Sequence, residues 1–209
     1  MLDITYGNIK IFYEEKLDGG GGIKWNSEIL DAFKNNIGYC NSVLDICCGP
    51  GLIGFNILGH SLCKNLTLSD INPAAIKLCN KTIKYNNLEN NVSTIQSNCF
   101  DNIPKSTYDL IISNPPHYYD NSKAPRKENY MFDVDPLIFV DWDWGFHETF
   151  YSNVSKYLNK DGHVLMLEAK DALGANKFKS LIDKNNLKLI STFDFYDSSN
   201  AYFMLITHD

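Results

Sequence analysis

A chain of 209 residues with 44% apolar and 21% charged residues has the composition of one globular domain, which excludes a disordered or membrane-embedded protein. The net charge of −6 argues against a protein that holds nucleic acid by broad neutralisation of phosphates. The 6 cysteines lack metal-ligand spacing, and no segment resembles a signal peptide or a membrane span, so we expect reduced thiols and a cytoplasmic protein without a bound metal.

The first 40 residues are predicted to flank the main domain. Residues 4–14 alternate apolar and polar side chains around a Gly-Asn pair, which is typical of a hairpin or a bent strand. The glycine run at 19–22 is either a flexible linker or a loop that covers a cofactor. A helix is expected from Asn26 or Ser27 to about Asn36, because both residues can cap a helix.

From residue 42 onward, short apolar strands alternate with helical patterns, which indicates parallel strands joined by crossover helices. The last two strand-like runs, 187–195 and 201–207, predict an antiparallel hairpin. The fold class is therefore α/β, a Rossmann-like doubly wound sheet, mostly parallel with a C-terminal antiparallel hairpin, plus an N-terminal β-hairpin extension. Earlier strands are expected near 42–46, 65–69, 91–97, 108–113 and 162–168, and helices near 51–59, 73–85, 145–159 and 172–184.

Two domain regions follow from this pattern. Residues 1–40 form the flank, and residues 41–209 form the main domain. The long irregular stretch at about 115–144 is interpreted as an ordered lid over a substrate, because structureless loops of this length are uncommon in compact domains and this one is rich in aromatic residues.

The first chemical motif is an apolar strand that leads into a glycine turn and a helix, Val43-Leu44-Asp45-Ile46-Cys47-Cys48-Gly49-Pro50-Gly51. Ligands of open parallel sheets bind beyond the carboxyl ends of the strands. The amide groups at the start of the helix would face a carboxylate or a phosphate. By itself this motif is common to many nucleotide-binding folds.

Three further strand ends carry polar or rigid groups. Asp70 follows the second strand and is placed to accept hydrogen bonds from a ribose diol. Asn98 follows the third strand and can accept a bond from an exocyclic amine, with Ile71 and Phe100 as apolar faces for a purine. The fourth strand ends in Asn114-Pro115-Pro116-His117. Because prolines restrict the backbone, Asn114 and a neighbouring carbonyl are held as a pair of acceptors for a substrate NH2 group.

These motifs resemble those of class I S-adenosylmethionine-dependent methyltransferases. Within that class, the chain is similar to the methyltransferase small domain group, which includes release-factor glutamine methyltransferases and RNA adenine or guanine N-methyltransferases. The resemblance is carried by three segments and extends over roughly residues 17–207. These are Val43 to Gly51, Ser69-Asp70-Ile71-Asn72-Pro73, and Asn114-Pro115-Pro116-His117.

The resemblance implies S-adenosyl-L-methionine as the cofactor and methyl transfer to an amide or amine nitrogen of a peptide, a small molecule or an RNA base. Asn114, Pro115, Pro116 and His117 would form the catalytic segment. Three positions depart from the usual motifs: Cys47 replaces the first glycine of the turn, Asn98 replaces the usual acidic contact to adenine, and His117 replaces a tyrosine or phenylalanine. The residues expected to bind the cofactor are Asp45, Cys47, Gly49, Gly51, Asp70, Ile71, Asn98, Cys99 and Asn114.

The substrate is expected to contact His117 and aromatic or imidazole groups of the lid region, namely Tyr118, Trp142, Trp144 and His147. Packing is the more ordinary role for the two tryptophans and for His147, and His117 is either a stacking group or a base. Two other functions stay open. One is a nicotinamide-dependent oxidoreductase, although the turn lacks the G-x-G-x-x-G pattern. The other is a module that binds the cofactor without catalysis. The oligomeric state cannot be predicted from these patterns.

Overall fold

The computed structural model describes residues 1–18, 26–120, 136–170, 176–194 and 201–209. Nine strands and five helices lie in these ranges, together with short 3-10 turns. The helices are α1 (Asn26–Asn36), α2 (Leu52–Gly59), α3 (Pro73–Tyr85), α4 (Gly145–Asn153) and α5 (Asn176–Lys184). The strands are β1 (Leu2–Tyr6), β2 (Ile9–Tyr13), β3 (Cys40–Ile46), β4 (Cys63–Asp70), β5 (Val92–Gln96), β6 (Tyr108–Ser113), β7 (Leu158–Ala169), β8 (Leu187–Asp194) and β9 (Ala201–His208).

The main sheet has seven strands in the order β5-β4-β3-β6-β7-β9-β8. The five strands from β5 to β7 are parallel, and β9 pairs antiparallel with both β7 and β8. Strands β1 and β2 form a separate antiparallel pair. The predicted α/β fold class, the parallel sheet and both hairpins are confirmed.

Apolar side chains cover both faces of the sheet, because each central strand is buried on two sides. Along β6, Leu110 belongs to one apolar layer and Ile111 to the other. The first layer is completed by side chains of α1 to α3, such as Phe33 and Phe55. The second is completed by α4 and α5, with Phe150 as an example. Helices therefore pack on both faces and leave the strand ends as the place for chemistry.

The N-terminal hairpin is anchored on α2 and α3. The Asn86 side chain accepts a hydrogen bond from the Lys10 amide at 3.0 Å and donates one to the Lys10 carbonyl at 2.8 Å. Gly7 passes so close to α2 that a Cβ atom there would lie 1.9 Å from the carbonyl oxygen of Gly59. The following turn brings the Leu17 carbonyl next to Gly49. The division at residue 40 stays a prediction, and the glycine run lies outside the described residues.

The region predicted as one helix over 145–159 is different. Helix α4 ends at Asn153, a 3-10 turn covers Val154–Tyr157, and β7 begins at Leu158, four residues before the expected start at 162. The register with β6 slips here, since Tyr108 pairs with Leu158 and Leu110 with His163. A bulge absorbs the extra residues. Gly162 lies in this bulge.

Candidate active site

The four predicted strand ends meet at one edge of the sheet. Ile46 of β3 pairs with Ser69 of β4 on one side and with Ser113 of β6 on the other. Asp70 pairs with Gln96 of β5. Since these strands are parallel and in register at their ends, the residues that follow them form a continuous edge. The motifs therefore converge as the sequence predicted.

The turn after β3 has an unusual backbone. Cys47, Gly49 and Gly51 all have left-handed φ angles, of 58°, 53° and 82°. Two of these positions carry the glycine that such an angle favours, whereas Cys47 is a strained exception of roughly 1 kcal/mol. Burial raises the pKa of the Cys47 thiol well above its usual value, so this cysteine is a neutral part of the turn.

Asp45 is a buried carboxylate next to this turn, with only 1% of its surface exposed. Its Oδ2 accepts the Gly54 amide of α2 at 3.0 Å, whereas Oδ1 finds no hydrogen-bond partner among the described residues. Burial raises the pKa of Asp45 to about 7, against the opposing effect of the Gly54 amide. An unpartnered buried oxygen of this kind is costly unless a cationic or N–H donor of a ligand reaches it.

Asp70 fixes the glycine turn to the end of β4. Its Oδ2 accepts the Gly49 amide and its Oδ1 accepts the Asn72 amide, both at 2.8 Å. Burial raises the pKa of Asp70, and these amide hydrogen bonds oppose the change. Each carboxylate oxygen keeps a second lone pair, so the side chain can still accept hydroxyl groups of a ligand.

The predicted purine-contact residues do not all face the edge. Ile71 is 52% exposed, which is unusual for a large apolar side chain at a polar edge. Asn98 is also exposed, while Cys99 is buried with a left-handed φ of 48°. Phe100 contradicts the prediction, because its ring is buried and stacks on Tyr157 with 4.5 Å between the ring centroids. Apolar packing against the second layer decided its direction.

The predicted catalytic segment, Asn114 to His117, directly follows β6. Asn114 is half-buried, and its Oδ1 lies 3.1 Å from Nε2 of His117. Pro115 and Pro116 lie between these two residues in the sequence. On its other side, Nδ1 of His117 lies 3.7 Å from Oε2 of Glu168, the penultimate residue of β7.

Two buried carboxylates beside the predicted site, Glu168 and Asp141, were not identified from the sequence. Glu168 is 2% exposed and its Oε1 lies 2.9 Å from Nε2 of His147, whose Nδ1 lies 2.6 Å from Oδ2 of Asp141. Burial alone would lower the pKa of His147, but the two carboxylates outweigh it and raise that pKa to about 9. Burial alone would raise the pKa of Glu168, but His147 and His117 hold it at about 2. The available signal was a glutamate at the end of an apolar strand.

His147 itself is 0% exposed, and both of its ring nitrogens are occupied by carboxylates. Its predicted contact with substrate does not fit this position. The residue lies on α4, and its ring stacks on Phe178 of α5 with 4.3 Å between the ring centroids.

Backbone hydrogen bonds connect the two ends of the predicted lid. Tyr118 donates its amide to Phe139 at 3.0 Å, and its carbonyl accepts the amide of Asp141 at 2.8 Å. Trp142 is 49% exposed, whereas Trp144 is buried edge-on against His147. Trp142 is thus the better placed of the two to meet a substrate. Residues 121–135 of the predicted lid lie outside the described residues.

The sequence pattern of the methyltransferase small domain matches residues 8–133. The chain belongs to this family. The matched range contains the glycine turn, Asp70 and the Asn114 to His117 segment. It ends before Asp141, His147 and Glu168, which are therefore features of this chain beyond the matched range.

Named relatives of this methyltransferase domain modify different substrates. The chain is 41% identical to the ribosomal protein uL3 glutamine methyltransferase of Francisella tularensis over 46% of the chain and 31% of that protein. It is 32% identical to the release factor glutamine methyltransferase of Leptospira interrogans over 66% of the chain and 49% of the relative. A ribosomal RNA small subunit methyltransferase C of Yersinia pestis is 35% identical over 52% of the chain and 28% of the relative. The chain thus matches half or less of the length of each.

The fold is also that of solved methyltransferases. The glycopeptide N-methyltransferase MtfA, solved in complex with S-adenosyl-L-methionine, superposes with a TM-score of 0.65 at 9% identity and covers 88% of this chain and 94% of its own. At such low identity the likeness concerns the fold alone.

The described ranges contain neither a membrane-spanning helix nor a metal-binding cluster. No helix there is both long and apolar enough to cross a membrane. No group of three or more histidine, cysteine or acidic side chains in the same ranges is arranged to hold a metal ion. The edge formed by β3 to β6 instead offers acceptors and one exposed apolar side chain, which suits an organic ligand with an ammonium group, a diol and a planar ring.

Proposed function

We propose that this chain is an S-adenosylmethionine-dependent N-methyltransferase that acts on the side-chain amide of a glutamine in a protein. The observation that carries the proposal is the position of Asn114, which follows β6 directly beside the glycine turn of β3, in register through Ile46 and Ser113. A cofactor held at the turn and a nitrogen held at Asn114 would be neighbours. Family membership and the fold support methyl transfer as the chemistry.

The cofactor would bind along the edge from β3 to β5. Asp45, with its unpartnered Oδ1, suits the ammonium group of the methionine part, and the turn from Cys47 through Gly49 to Gly51 leaves the backbone open to close approach. Asp70 suits the ribose hydroxyls. The adenine ring would lie against Ile71, with the exposed Asn98 and the adjoining Cys99 at its edge.

When bound, S-adenosylmethionine supplies a methyl group activated by a sulfonium centre. Oδ1 of Asn114 and the backbone carbonyl of Pro115 accept the two N–H groups of the substrate amide and direct its lone pair. These acceptors strengthen as the nitrogen becomes positive during attack, so alignment and electrostatics supply most of the rate. The N–C bond would form as the S–C bond breaks and S-adenosylhomocysteine leaves, and one N–H proton would pass to water during or after attack. Pro116 and His117 would keep Asn114 in its orientation.

A glutamine of a protein is favoured over an RNA base for two reasons. Two of the relatives are named as glutamine methyltransferases. The net charge of −6 offers little general attraction for a polyanion. Tyr118 and the exposed Trp142 would border the entrance for the substrate, and the buried Trp144 would support them from behind. Such a protein would work in the cytoplasm, where its substrates are made.

The test combines labelling with one substitution. Cell extract incubated with tritiated cofactor and separated into protein, RNA and small-molecule fractions should carry the label in protein, on glutamine. Asn114→Ala should lower kcat at least about 100-fold and leave the Kd of S-adenosylhomocysteine within about twofold. Asn90→Ala, at an exposed asparagine before β5, is the matched control and should change neither value.

Other outcomes identify the alternatives. Label in RNA or in small molecules would refute the protein substrate, and normal turnover by Asn114→Ala would refute its role. Binding of S-adenosylhomocysteine with no label in any fraction would indicate a cofactor-binding module without catalysis. Binding of a nicotinamide dinucleotide in its place would indicate an oxidoreductase.

A further inference from the structure

Three exposed apolar side chains lie at the two ends of the predicted lid. Tyr119 is 47% exposed, Leu137 is 52% exposed and Trp142 is 49% exposed. The bridge between Tyr118 and Val140 brings these two ends together, directly after the predicted catalytic segment. A single exposed apolar side chain is ordinary in a folded protein, whereas several at one place indicate a surface that meets a partner.

The backbone that follows Trp142 is strained. Asp143 and Trp144 have left-handed φ angles of 55° and 60° in consecutive positions. Aspartate is among the residues that tolerate this conformation, whereas a bulky residue such as tryptophan seldom adopts it. Trp144 is buried and packs edge-on against Phe178, so packing accounts for its position. The exposed Trp142 gains no such burial, and strained backbone is typical of places where a protein holds a ligand.

Asp143 joins this strained turn to Tyr119. The Tyr119 hydroxyl donates a hydrogen bond to the Asp143 carboxylate, which raises the pKa of Tyr119. The Tyr119 ring also lies 5.9 Å from the Trp144 ring, centroid to centroid. A carboxylate has about four acceptor positions, so the exposed Asp143 can accept further N–H groups. We call Tyr119, Leu137, Trp142 and Asp143 the entrance surface.

The charges around the entrance surface are mostly negative. Residues 118–120 and 136–153 contain neither lysine nor arginine. Their acidic residues are Asp120, Asp141, Asp143 and Glu148. Asp141 is bonded to the buried His147, whereas Asp143 and Glu148 are exposed. The lysines and the arginine of the predicted lid lie outside the described residues. A cationic partner is therefore favoured here over an anionic one.

Arginine is the cation that fits these groups best. Lys177 of α5 already shows that the aromatic cluster attracts a cation, because its Nζ lies 6.0 Å from the centroid of the Trp144 ring. A planar guanidinium stacks on an aromatic face and offers a carboxylate two parallel N–H donors, whereas an ammonium is a point charge. Trp142 and the adjoining Asp143 provide these two groups. An RNA substrate would instead bring its phosphates against the acidic side chains.

We propose that the entrance surface binds an arginine side chain of the substrate protein, with the guanidinium on the Trp142 ring and its N–H groups toward the Asp143 carboxylate. Leu137 and Tyr119 cover the aliphatic part of the arginine. The inference rests on the proposed function, because it takes the substrate to be a protein, and it adds what that protein carries besides its glutamine. Binding of arginine can be measured without turnover, so the two proposals can fail separately.

The first experiment titrates N-acetyl-arginine methylamide into the protein and follows the indole N–H signals of its 3 tryptophans by NMR, where Trp142→Ala identifies the Trp142 signal. That signal should shift to saturation. N-acetyl-citrulline methylamide, which has nearly the same shape without the charge, should bind at least about threefold more weakly. Asp143→Asn should weaken binding of the arginine probe by a similar factor, and asparagine tolerates a left-handed backbone as aspartate does. Equal affinity for the two probes, or an unmoved Trp142 signal, overturns the proposal.

The second experiment measures initial rates of tritium transfer to the protein fraction of a cell extract over a range of extract concentrations. Trp142→Ala should raise the apparent KM about tenfold, and it should leave kcat and the Kd of S-adenosylhomocysteine within about twofold. Tyr39→Ala is the matched control, at a 60% exposed tyrosine before β3 at the opposite edge of the sheet, and should change none of these values. A loss confined to kcat, or the same loss in Tyr39→Ala, overturns the proposal.

The two experiments separate the possible failures. If no fraction of an extract is labelled, the proposed function fails, while the titration still decides whether the entrance surface binds arginine. Label found only in RNA overturns both proposals. If circular dichroism shows that Trp142→Ala does not fold, Asp143→Asn replaces it in the turnover measurement, and an unchanged apparent KM in that variant then overturns the proposal.

Discussion

Substitution of Gly51 by alanine should lower the free energy of unfolding by about 2–4 kcal/mol, as the sum of two separate costs. The φ angle at Gly51 is 82°, and a side chain in this left-handed region costs roughly 1 kcal/mol or more. The new Cβ would also lie 2.7 Å from Cε2 of Phe55 and 3.2 Å from Cδ1 of Leu68. Overpacking of a filled core typically costs about 1–3 kcal/mol.

Gly38 provides a matched control for the backbone cost. Its φ angle is 79°, almost the same as that of Gly51, but a Cβ at this position would meet nothing within 4 Å. Gly38→Ala should therefore lose only about 1 kcal/mol. The difference between the two variants isolates the contact with Phe55 and Leu68.

Urea unfolding of both variants, followed by circular dichroism, measures these free energies. A thermal-shift titration with S-adenosylhomocysteine adds the functional consequence: Gly38→Ala should keep the affinity of the unsubstituted protein, and Gly51→Ala should lose it because the turn moves. Equal stability losses for the two variants would refute the reasoning, since the steric cost at Gly51 would then be absent.

Two predictions concern pH. Asp45, with its pKa of about 7, should bind the cofactor only when ionised, so the affinity for S-adenosylhomocysteine should fall about tenfold from pH 8 to pH 6. Calorimetry should find a much weaker pH dependence of this affinity in Asp45→Asn. An affinity of the unsubstituted protein that does not change with pH would contradict the assignment. His147, whose pKa is raised to about 9, stabilises the fold fully below about pH 6.5, and this contribution declines as the pH rises toward 9. Urea unfolding should show a loss of roughly 1–2 kcal/mol between pH 6.5 and pH 8, a slope that His147→Gln should lack; the same slope in both proteins would assign it to other groups.

Most of the fold was accessible from local pattern. Helix α3 begins at Pro73 after the capping Asn72, as the sequence indicates, and the side chain of Asn72 accepts the amide of Ala74. Strand β6 has the bounds that its apolar run predicts. The prediction of one helix over 145–159 and a strand from 162 was wrong, because the bulge at the start of β7 depends on pairing with β6. That pairing is a contact between distant parts of the chain.

The residues at the carboxyl edge of the sheet could likewise be predicted from the sequence. The side chains buried beneath that edge could not. Asp70 and Asn114 were identified because a residue after a parallel strand must lie at the carboxyl edge, whatever the rest of the chain does. Phe100 and His147 were misjudged because the direction of a side chain depends on the surfaces that pack around it. Both turned toward the aromatic layer under α4 and α5.

The sequence by itself determined which polar residues follow each parallel strand, the glycine turn and the Asn114 to His117 segment. Each of these depends on residues that are neighbours along the chain. Only the tertiary structure decided which distant groups stand behind that segment. Asp141, His147 and Glu168 meet because α4 packs across the end of β7. Their altered pKa values arise from burial and mutual contact, and neither exists before the chain has folded.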